Sequence, residues 1–491
     1  MSDDGAILRG YLSVFTGDLG RLLVFAAFIP LLVRTVGEAG FGRYALVMAA
    51  FAPSRKLLNM GLFEGTKTYV SREDGVERER VVATSFALHV GTLVVGIPVL
   101  AAIFTVATEG PLRRALYLML GAVVGEQLYY FGRGVLHAYK REALVEPLIP
   151  VRSVILAVVG LTLAAEGYGV PGVFAGFATG FLLTGLVSTA LAFREAGVVP
   201  SPRRLALAAY GRPLVRFGVQ TMALVLMLTS MFKVDVLLVG YFESDAATGH
   251  YRAALQVSEF MWVVSIAMEQ VMIQSTARLW EDGALGELTA LLARLLRYVV
   301  VVTVLLVAGV FVLSEQFLTL YFGPAYEASV LPLRVLLPGV LGFAMARVIW
   351  PVLQAGGHLR TLLLATGTAV VVNVVLNLAL IPTVGIVGAA IGTSVAYGSM
   401  AVTHVAAART VGLHPLEGLP VARTAALGLA TIGLLWVLEP LGPWWVDLGV
   451  LPFVGLAAYA LGCQWLDVLT VGEVRSLVGE FTSTEDPSAV E

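Results

Sequence analysis

The sequence predicts an all-α polytopic membrane protein of about 14 transmembrane helices: two six-helix bundles followed by two C-terminal helices. Three observations predict it. The first is composition: 58% of the 491 residues are hydrophobic and 13% are charged, against about a quarter charged in a soluble domain, and the mean hydropathy is +0.86. The second is that the apolar runs come at the ~20-residue length that crosses a bilayer as helix. The third is internal repetition. Leu136-His137-Ala138 opens a basic turn, an apolar run follows, and Gly169 to Gly176 (GVPGVFAG) closes it. Leu353-Gln354-Ala355 and Gly385 to Gly392 (GIVGAAIG) repeat that order 217 and 216 positions later. Gly42-Arg43-Tyr44 and Gly249-His250-Tyr251 agree at an offset of 207. Order kept at similar offset is the mark of a membrane transporter built from repeats.

The spans are placed at 12–36, 44–66, 81–107, 115–136, 146–166, 170–193, 213–241, 249–272, 296–321, 331–353, 360–382, 386–408, 420–439 and 445–466. Basic residues follow the even-numbered spans, as in Arg72, Arg78, Arg80, Lys140, Arg141, Arg278, Arg360 and Arg409, whereas loops 5, 7, 9, 11 and 13 hold none in their interiors. Only Arg34, Arg43, Arg113 and Arg114, after spans 1 and 3, blur that pattern. Positive residues mark the cytoplasmic side, so both termini are expected there, in a multi-pass protein of the cell membrane.

Six spans per half is an even number, so both halves enter from the same side and should be related by a pseudo-two-fold axis along the membrane normal. The expected domains are a first bundle at 1–197, a cytoplasmic linker at 198–212, a second bundle at 213–410, two additional helices at 411–468 and a mobile cytoplasmic tail at 469–491. Between spans 8 and 9, leucines 285, 288, 292 and 295 share one helix face among charges, as expected of a cytoplasmic helix lying on the membrane surface; the solvated start of span 9 is the alternative. Met1-Ser2-Asp3-Asp4 lacks a basic n-region, so no cleaved signal peptide is expected. The single cysteine, Cys463, excludes an intrachain disulfide.

Ionisable residues inside the spans carry the functional reading. Asp18 and Arg21 lie in span 1; Arg55, Lys56, Glu64 and Lys67 in span 2; Glu126 and Arg133 in span 4; Arg152 in span 5. The second half has Lys233 and Asp235 in span 7, Arg252, Glu259 and Glu269 in span 8 and Arg347 in span 10. Each costs about 2.5 to 3.5 kcal/mol at the bilayer centre on insertion scales, so each must face water or a partner. Concentration in spans 1, 2, 7 and 8 points to a hydrated cavity between the halves. Arg55 and Lys56 adjoin each other, with no carboxylate within four residues of either, and such a cationic cluster suits a phosphate.

Other readings are local. Asp18 with Arg21, and Glu126 with Arg133, share helix faces and can pair structurally. Arg133, Arg152, Arg252 and Glu269 lie near span ends, where side chains can snorkel to the interface. The set taken for substrate binding is Arg21, Arg55, Lys56, Lys233, Arg252 and Arg347; for ion coupling, Asp18, Asp235 and Glu259. Enzyme signatures are absent: there is no Gly-rich phosphate loop ending in Lys-Ser/Thr, no Gly-x-Ser-x-Gly elbow, and the six histidines form no i, i+4 pair. No catalytic residue, metal site, cofactor or nucleic-acid partner is expected.

In their order, four stretches resemble the polysaccharide and oligosaccharide flippases of the superfamily that also holds the multidrug and toxin extruders. They are Pro30 to Tyr44 (PLLVRTVGEAGFGRY), Asp235 to Tyr251 (DVLLVGYFESDAATGHY), Tyr321 to Leu333 (YFGPAYEASVLPL) and Leu353 to Gly392. The resemblance implies two six-helix bundles in a V plus two helices. It also implies movement of a lipid-linked saccharide from the cytoplasmic to the outer leaflet by alternating access, the phosphate held in a cationic cavity and an H⁺ or Na⁺ gradient supplying the drive. The implied partners are the lipid-linked substrate, membrane lipid and glycosyltransferases of the same pathway. A multidrug antiporter of the superfamily would want an aromatic, acidic cavity. A membrane-embedded glycan polymerase or glycosyltransferase would want a large external loop, and none predicted here exceeds about a dozen residues.

Overall fold

The computed structural model describes residues 4–198, 201, 204–216, 229, 233–439, 444–469 and 472–473, with the side chains of 4–19, 274, 444 and 445 left out. The described residues are helical throughout, with no strand among them. Seven helical stretches are long and apolar enough to cross a membrane. Three of these, of 53, 55 and 52 residues, are too long for one pass at 1.5 Å per residue, and each is broken: the first at Gly37 and Met60–Gly61, the second at Gly167 and the third at Gly385. The chain is thus a multi-pass membrane protein of about 14 helices, as predicted. The predicted span 213–241 lies largely outside the described residues, and so does the tail beyond Glu473.

The chain divides into two compact units, Met1–Arg252 and Ala253–Glu491. The first holds α1 (Asp4–Asn59), α2 (Leu62–Arg72), α3 (Gly75–Ala107), α4 (Gly110–Ala138), α5 (Glu142–Val145), α6 (Leu148–Leu163), α7 (Gly169–Ala196), α8 (Val234–Phe242) and the start of α9 (Asp245–Phe260). The second holds the rest of α9, α10 (Val263–Glu281), α11 (Leu285–Tyr321), α12 (Val330–Ala355), α13 (Leu359–Thr410), α14 (Val421–Leu438), α15 (Trp444–Gly449) and α16 (Leu451–Trp465). In the first unit α4 and α7 form the most extensive helix pair, and in the second α12 and α13 do. α14 and α16 pack on α11, where Tyr459 Oη donates to the Val301 carbonyl at 2.9 Å.

The sequence repeat is reproduced in backbone geometry. α4 and α12 end in the same Schellman turn. Arg141 N–H bonds the Leu136 carbonyl at 2.8 Å and Lys140 N–H the His137 carbonyl at 3.0 Å; His358 bonds Leu353 at 2.9 Å and Gly357 bonds Gln354 at 3.1 Å. Gly169, at the junction into α7, has φ 57 and ψ −139. Its counterpart Gly385, at the kink of α13, has φ 62 and ψ −142. That region is closed to residues with a Cβ, so a glycine is required at the same place in both units.

One expectation is corrected. Residues 274–281 end α10, and after a short turn α11 runs unbroken from Leu285 to Tyr321. Leu288, Leu292 and Leu295 are buried inside the protein, so their shared face packs on other helices and not on lipid headgroups. Arg297 of α11 donates to both Glu473 oxygens, at 3.0 and 3.1 Å, and to the Val468 carbonyl.

Candidate functional site

Arg55 sits near the end of α1, which stops at Asn59 because Met60 (φ 46) and Gly61 (φ 70) turn the chain before α2. Two amides stitch this segment to α4: Gln127 Nε2 donates to the Arg55 carbonyl at 2.9 Å, and Asn59 Nδ2 donates to Gln127 Oε1 at 3.3 Å. The Arg55 side chain is thereby held against Glu126, to whose Oε1 its Nη1 donates at 2.7 Å, and lies over the Phe51 ring at 5.6 Å. Glu126 is 2% exposed and Arg55 is 32% exposed. The expected Glu126–Arg133 pair is therefore absent. Arg133 instead donates to both oxygens of the fully buried Glu146, at 2.7 and 3.2 Å, and His137 Nε2 lies 2.7 Å from the same carboxylate.

Two further cations approach Glu126. Lys56, half-buried, is within electrostatic reach of Glu126, Glu64 and Arg55. Arg152 does not snorkel: its guanidinium is clasped between Phe181, at 4.2 Å, and Tyr129, at 5.0 Å, within electrostatic reach of Glu126 and Arg55. One buried carboxylate thus pairs with Arg55 and lies within electrostatic reach of Lys56 and Arg152. Such a group is net positive and can bind an anion by charge-assisted hydrogen bonds.

The other predicted site residues lie on several elements. Asp235 is fully buried in the first turn of α8 and accepts the Tyr251 hydroxyl at 2.7 Å and the N–H of the next residue, Val236, at 2.8 Å. Lys233 immediately precedes α8, Arg252 lies within electrostatic reach of Tyr44, and Arg21 is exposed on α1. Glu259 is half-buried on α9. The Asp18 side chain lies outside the described residues. Arg347, in the second unit, is held by Glu269, with Nε at 2.7 Å and Nη2 at 2.6 Å from one carboxylate oxygen; Glu269 is likewise no interfacial residue. Among the described residues no cluster of His, Cys, Asp or Glu could hold a metal ion.

A second arrangement was not foreseen. The repeated Gly42-Arg43-Tyr44 and Gly249-His250-Tyr251 turns meet inside the first unit. A Cβ on Gly42 would overlap the Asp245 carbonyl, and one on Gly249 the Glu38 carbonyl, so both glycines are needed for close approach. Around them Arg43 Nε donates to Asp245 Oδ2 at 2.7 Å and His250 Nε2 lies 2.9 Å from Glu38 Oε2. Glu38 and Asp245, and Arg43 and His250, are each 207 positions apart. The contact is reciprocal, acid i on base j and acid j on base i, as at a two-fold interface. Its signal was the repeat itself, extended by four residues.

Several solved structures share this fold. The Lipid II flippase MurJ in an inward closed conformation superposes with a TM-score of 0.77 at 11% identity, covering 93% of this chain and 98% of that one. An inward-facing multidrug resistance transporter of the MATE family gives 0.64 at 15% identity, over 80% and 94%. A MOP superfamily transporter from Pyrococcus furiosus, described as having a binding pocket of reverse polarity, gives 0.56 at 14% identity, over 83% and 95%. At such identities the likeness is one of fold. No curated protein sequence matches the chain. The sequence profile of one family, described as Polysaccharide biosynthesis protein, matches residues 31–331. That match takes in both repeated turns, the Arg55 cluster and the first unit's kink, and by it the chain belongs to the polysaccharide biosynthesis protein family.

Proposed function

We propose that this chain carries lipid-linked oligosaccharide or polysaccharide units from the cytoplasmic to the outer leaflet by alternating access, moving them without altering their covalent bonds. The observation that carries the proposal is the buried carboxylate of Glu126, paired with Arg55 and within electrostatic reach of Lys56 and Arg152. A drug cation would be repelled there, whereas the phosphate or pyrophosphate that joins a glycan to its lipid is attracted. In this proposal Arg55 and Lys56 hold the phosphate; Arg21, Lys233 and Arg252 are lesser contacts, and Arg347 joins them on release from Glu269.

The reciprocal acid–base contacts support alternating access. By the distribution of positive residues, with both termini cytoplasmic in the plasma membrane, the turns at 37–43 and 243–249 face outward. Their pairing then closes the outer end of the path until it is broken. Bundles at 1–197 and 213–410, a linker at 198–212, added helices at 411–468 and a tail at 469–491 complete the proposed organisation. H⁺ or Na⁺ bound at Asp18, Asp235 or Glu259 supplies the bias, which requires tighter binding in one state than in the other. Glycosyltransferases of the same pathway make the substrate.

The test is the double variant Arg55→Gln/Lys56→Gln. Surface display of the glycan should be lost while the amount of protein in the membrane is unchanged, and lipid-linked glycan should accumulate intact in the inner leaflet. Wild-type display refutes the site. A change in the covalent structure of the accumulated glycan refutes transport in favour of an enzyme, and drug export without glycan export favours a multidrug antiporter.

A further inference from the structure

The ion pair between Arg55 and Glu126 is incomplete in a particular way. A guanidinium and a carboxylate can form two parallel hydrogen bonds, yet Arg55 uses only Nη1, and its Nε is buried with no partner among the described residues. Glu126 Oε2 is likewise buried and unpartnered. So is Nη1 of Arg152, the third member of the group. One donor on each arginine and one acceptor on the glutamate thus stand idle within the same cluster. Arg152 is kept in place by the rings of Phe181 and Tyr129, a cation–π clasp that needs no carboxylate to hold it. Arg55 is the more open of the first pair, 32% exposed against 2% for Glu126.

From this arrangement we propose that Glu126 is a transferable counter-ion: it holds Arg55 while the site is empty and passes to Arg152 when an anionic headgroup takes Arg55. The proposal rests on the reading of Arg55 as a phosphate contact. The exchange conserves charge pairing at both stages. Before binding, Arg55 is neutralised by Glu126 and Arg152 is held by aromatic faces. After binding, Arg55 is neutralised by the phosphate and Arg152 by Glu126. A buried carboxylate is never left without a cation, which would be the costly state. Arg152 is then a positioning residue: it touches no substrate, and it sets how readily Glu126 lets Arg55 go. The exchange also gives specificity, because a neutral ligand cannot displace the carboxylate.

The experiment uses the full chain in nanodiscs of phosphatidylcholine, with inorganic pyrophosphate as the probe and titration calorimetry as the readout; thermal unfolding checks that each variant is folded. Removing the internal competitor in Glu126→Gln should tighten binding about tenfold, as when a tenth of the molecules are binding-competent beforehand. Arg152→Gln, which gives the carboxylate nowhere to go, should weaken it by a similar factor, and Arg152→Lys should weaken it less. In the Glu126→Gln background Arg152→Gln should have no effect, since there is no carboxylate left to receive. An equal loss in both backgrounds overturns the exchange and makes Arg152 a mere source of positive field. Binding in Glu126→Gln no tighter than in wild type overturns it as well. If Glu126→Gln does not fold, unchanged binding in Arg152→Gln overturns the proposal alone. Arg55→Gln separates the two levels: unchanged binding there sinks the phosphate reading, whereas loss there with no gain in Glu126→Gln sinks only the exchange. Binding in none of the variants or the wild type overturns both.

Discussion

The two units have matching backbones and unlike interiors. The Schellman turns at Leu136 and Leu353 and the kinks at Gly169 and Gly385 coincide to within a few degrees and tenths of an ångström. At the positions that match Arg55, Glu126 and Phe181 under the repeat offsets, the second unit has Trp262, Phe343 and Tyr397. These three form an aromatic cluster, with ring centroids 4.5 Å apart for Trp262–Phe343, 5.0 Å for Phe343–Tyr397 and 5.8 Å for Trp262–Tyr397. Arg133 and His137 correspond to Trp350 and Gln354, joined by one hydrogen bond of 3.0 Å. The second unit's own ion pair lies at other positions, Glu269 and Arg347 matching Leu62 and Tyr130 under the same offsets. In the first unit the cation lies on the α1 segment and the acid on α4; in the second the acid Glu269 lies on α10 and the cation Arg347 on α12. One helical frame therefore holds a charged filling at these positions in the first unit and an aromatic filling in the second.

The sharpest way to break this contrast is to impose the second unit's filling on the first. Arg55→Trp/Glu126→Phe should abolish glycan display. It should still fold, because replacing a buried ion pair as a whole by apolar groups is often neutral, whereas Glu126→Phe alone strands Arg55 and should cost about 3–5 kcal/mol. Thermal unfolding of the two purified variants measures the difference, and an unfolded double variant would show that the frames are not interchangeable. A smaller effect tests the shared backbone: Gly169→Ala and Gly385→Ala should each cost about 1–3 kcal/mol and agree with each other. Unequal losses of melting temperature would mean that the kinks are alike in angle only. Smallest is Trp350→Phe, which removes the hydrogen bond to Gln354 and should cost about 1 kcal/mol, with glycan display at the wild-type level; a loss of display would give this second-unit pair a part in function.

The helical frame was legible in the sequence because spans, kinks and turns are written locally, in apolar run length and in glycines such as Gly169 and Gly385. Partners were not, because they come from afar. Arg55 stood out for want of a nearby carboxylate, and its acid lies 71 residues on, in α4. Sequence spacing offered Glu126 to Arg133, seven residues away on one face, but Arg133 turns instead to Glu146 beyond the end of its helix. Leucines 288, 292 and 295 gave the right face and the wrong neighbour, since periodicity cannot tell lipid from protein. Asn373 and Asn377, both fully buried and joined by an Asn377 Nδ2 bond to the Asn373 carbonyl at 2.8 Å, passed unnoticed because neutral amides barely disturb the hydropathy of a span.

The reciprocal pairing of Glu38 with His250 and Arg43 with Asp245 bears on how such a chain arises. Self-complementary patches are what two identical polypeptides present to each other when they dimerise. A half-length ancestor carrying one acid, one base and one glycine at this turn would meet its twin through these same contacts, and joining two copies end to end would preserve the bond while freeing each copy to diverge. The exchange of arginine for histidine at one of the two bases is such a divergence, and it leaves the seam between the duplicated segments still readable.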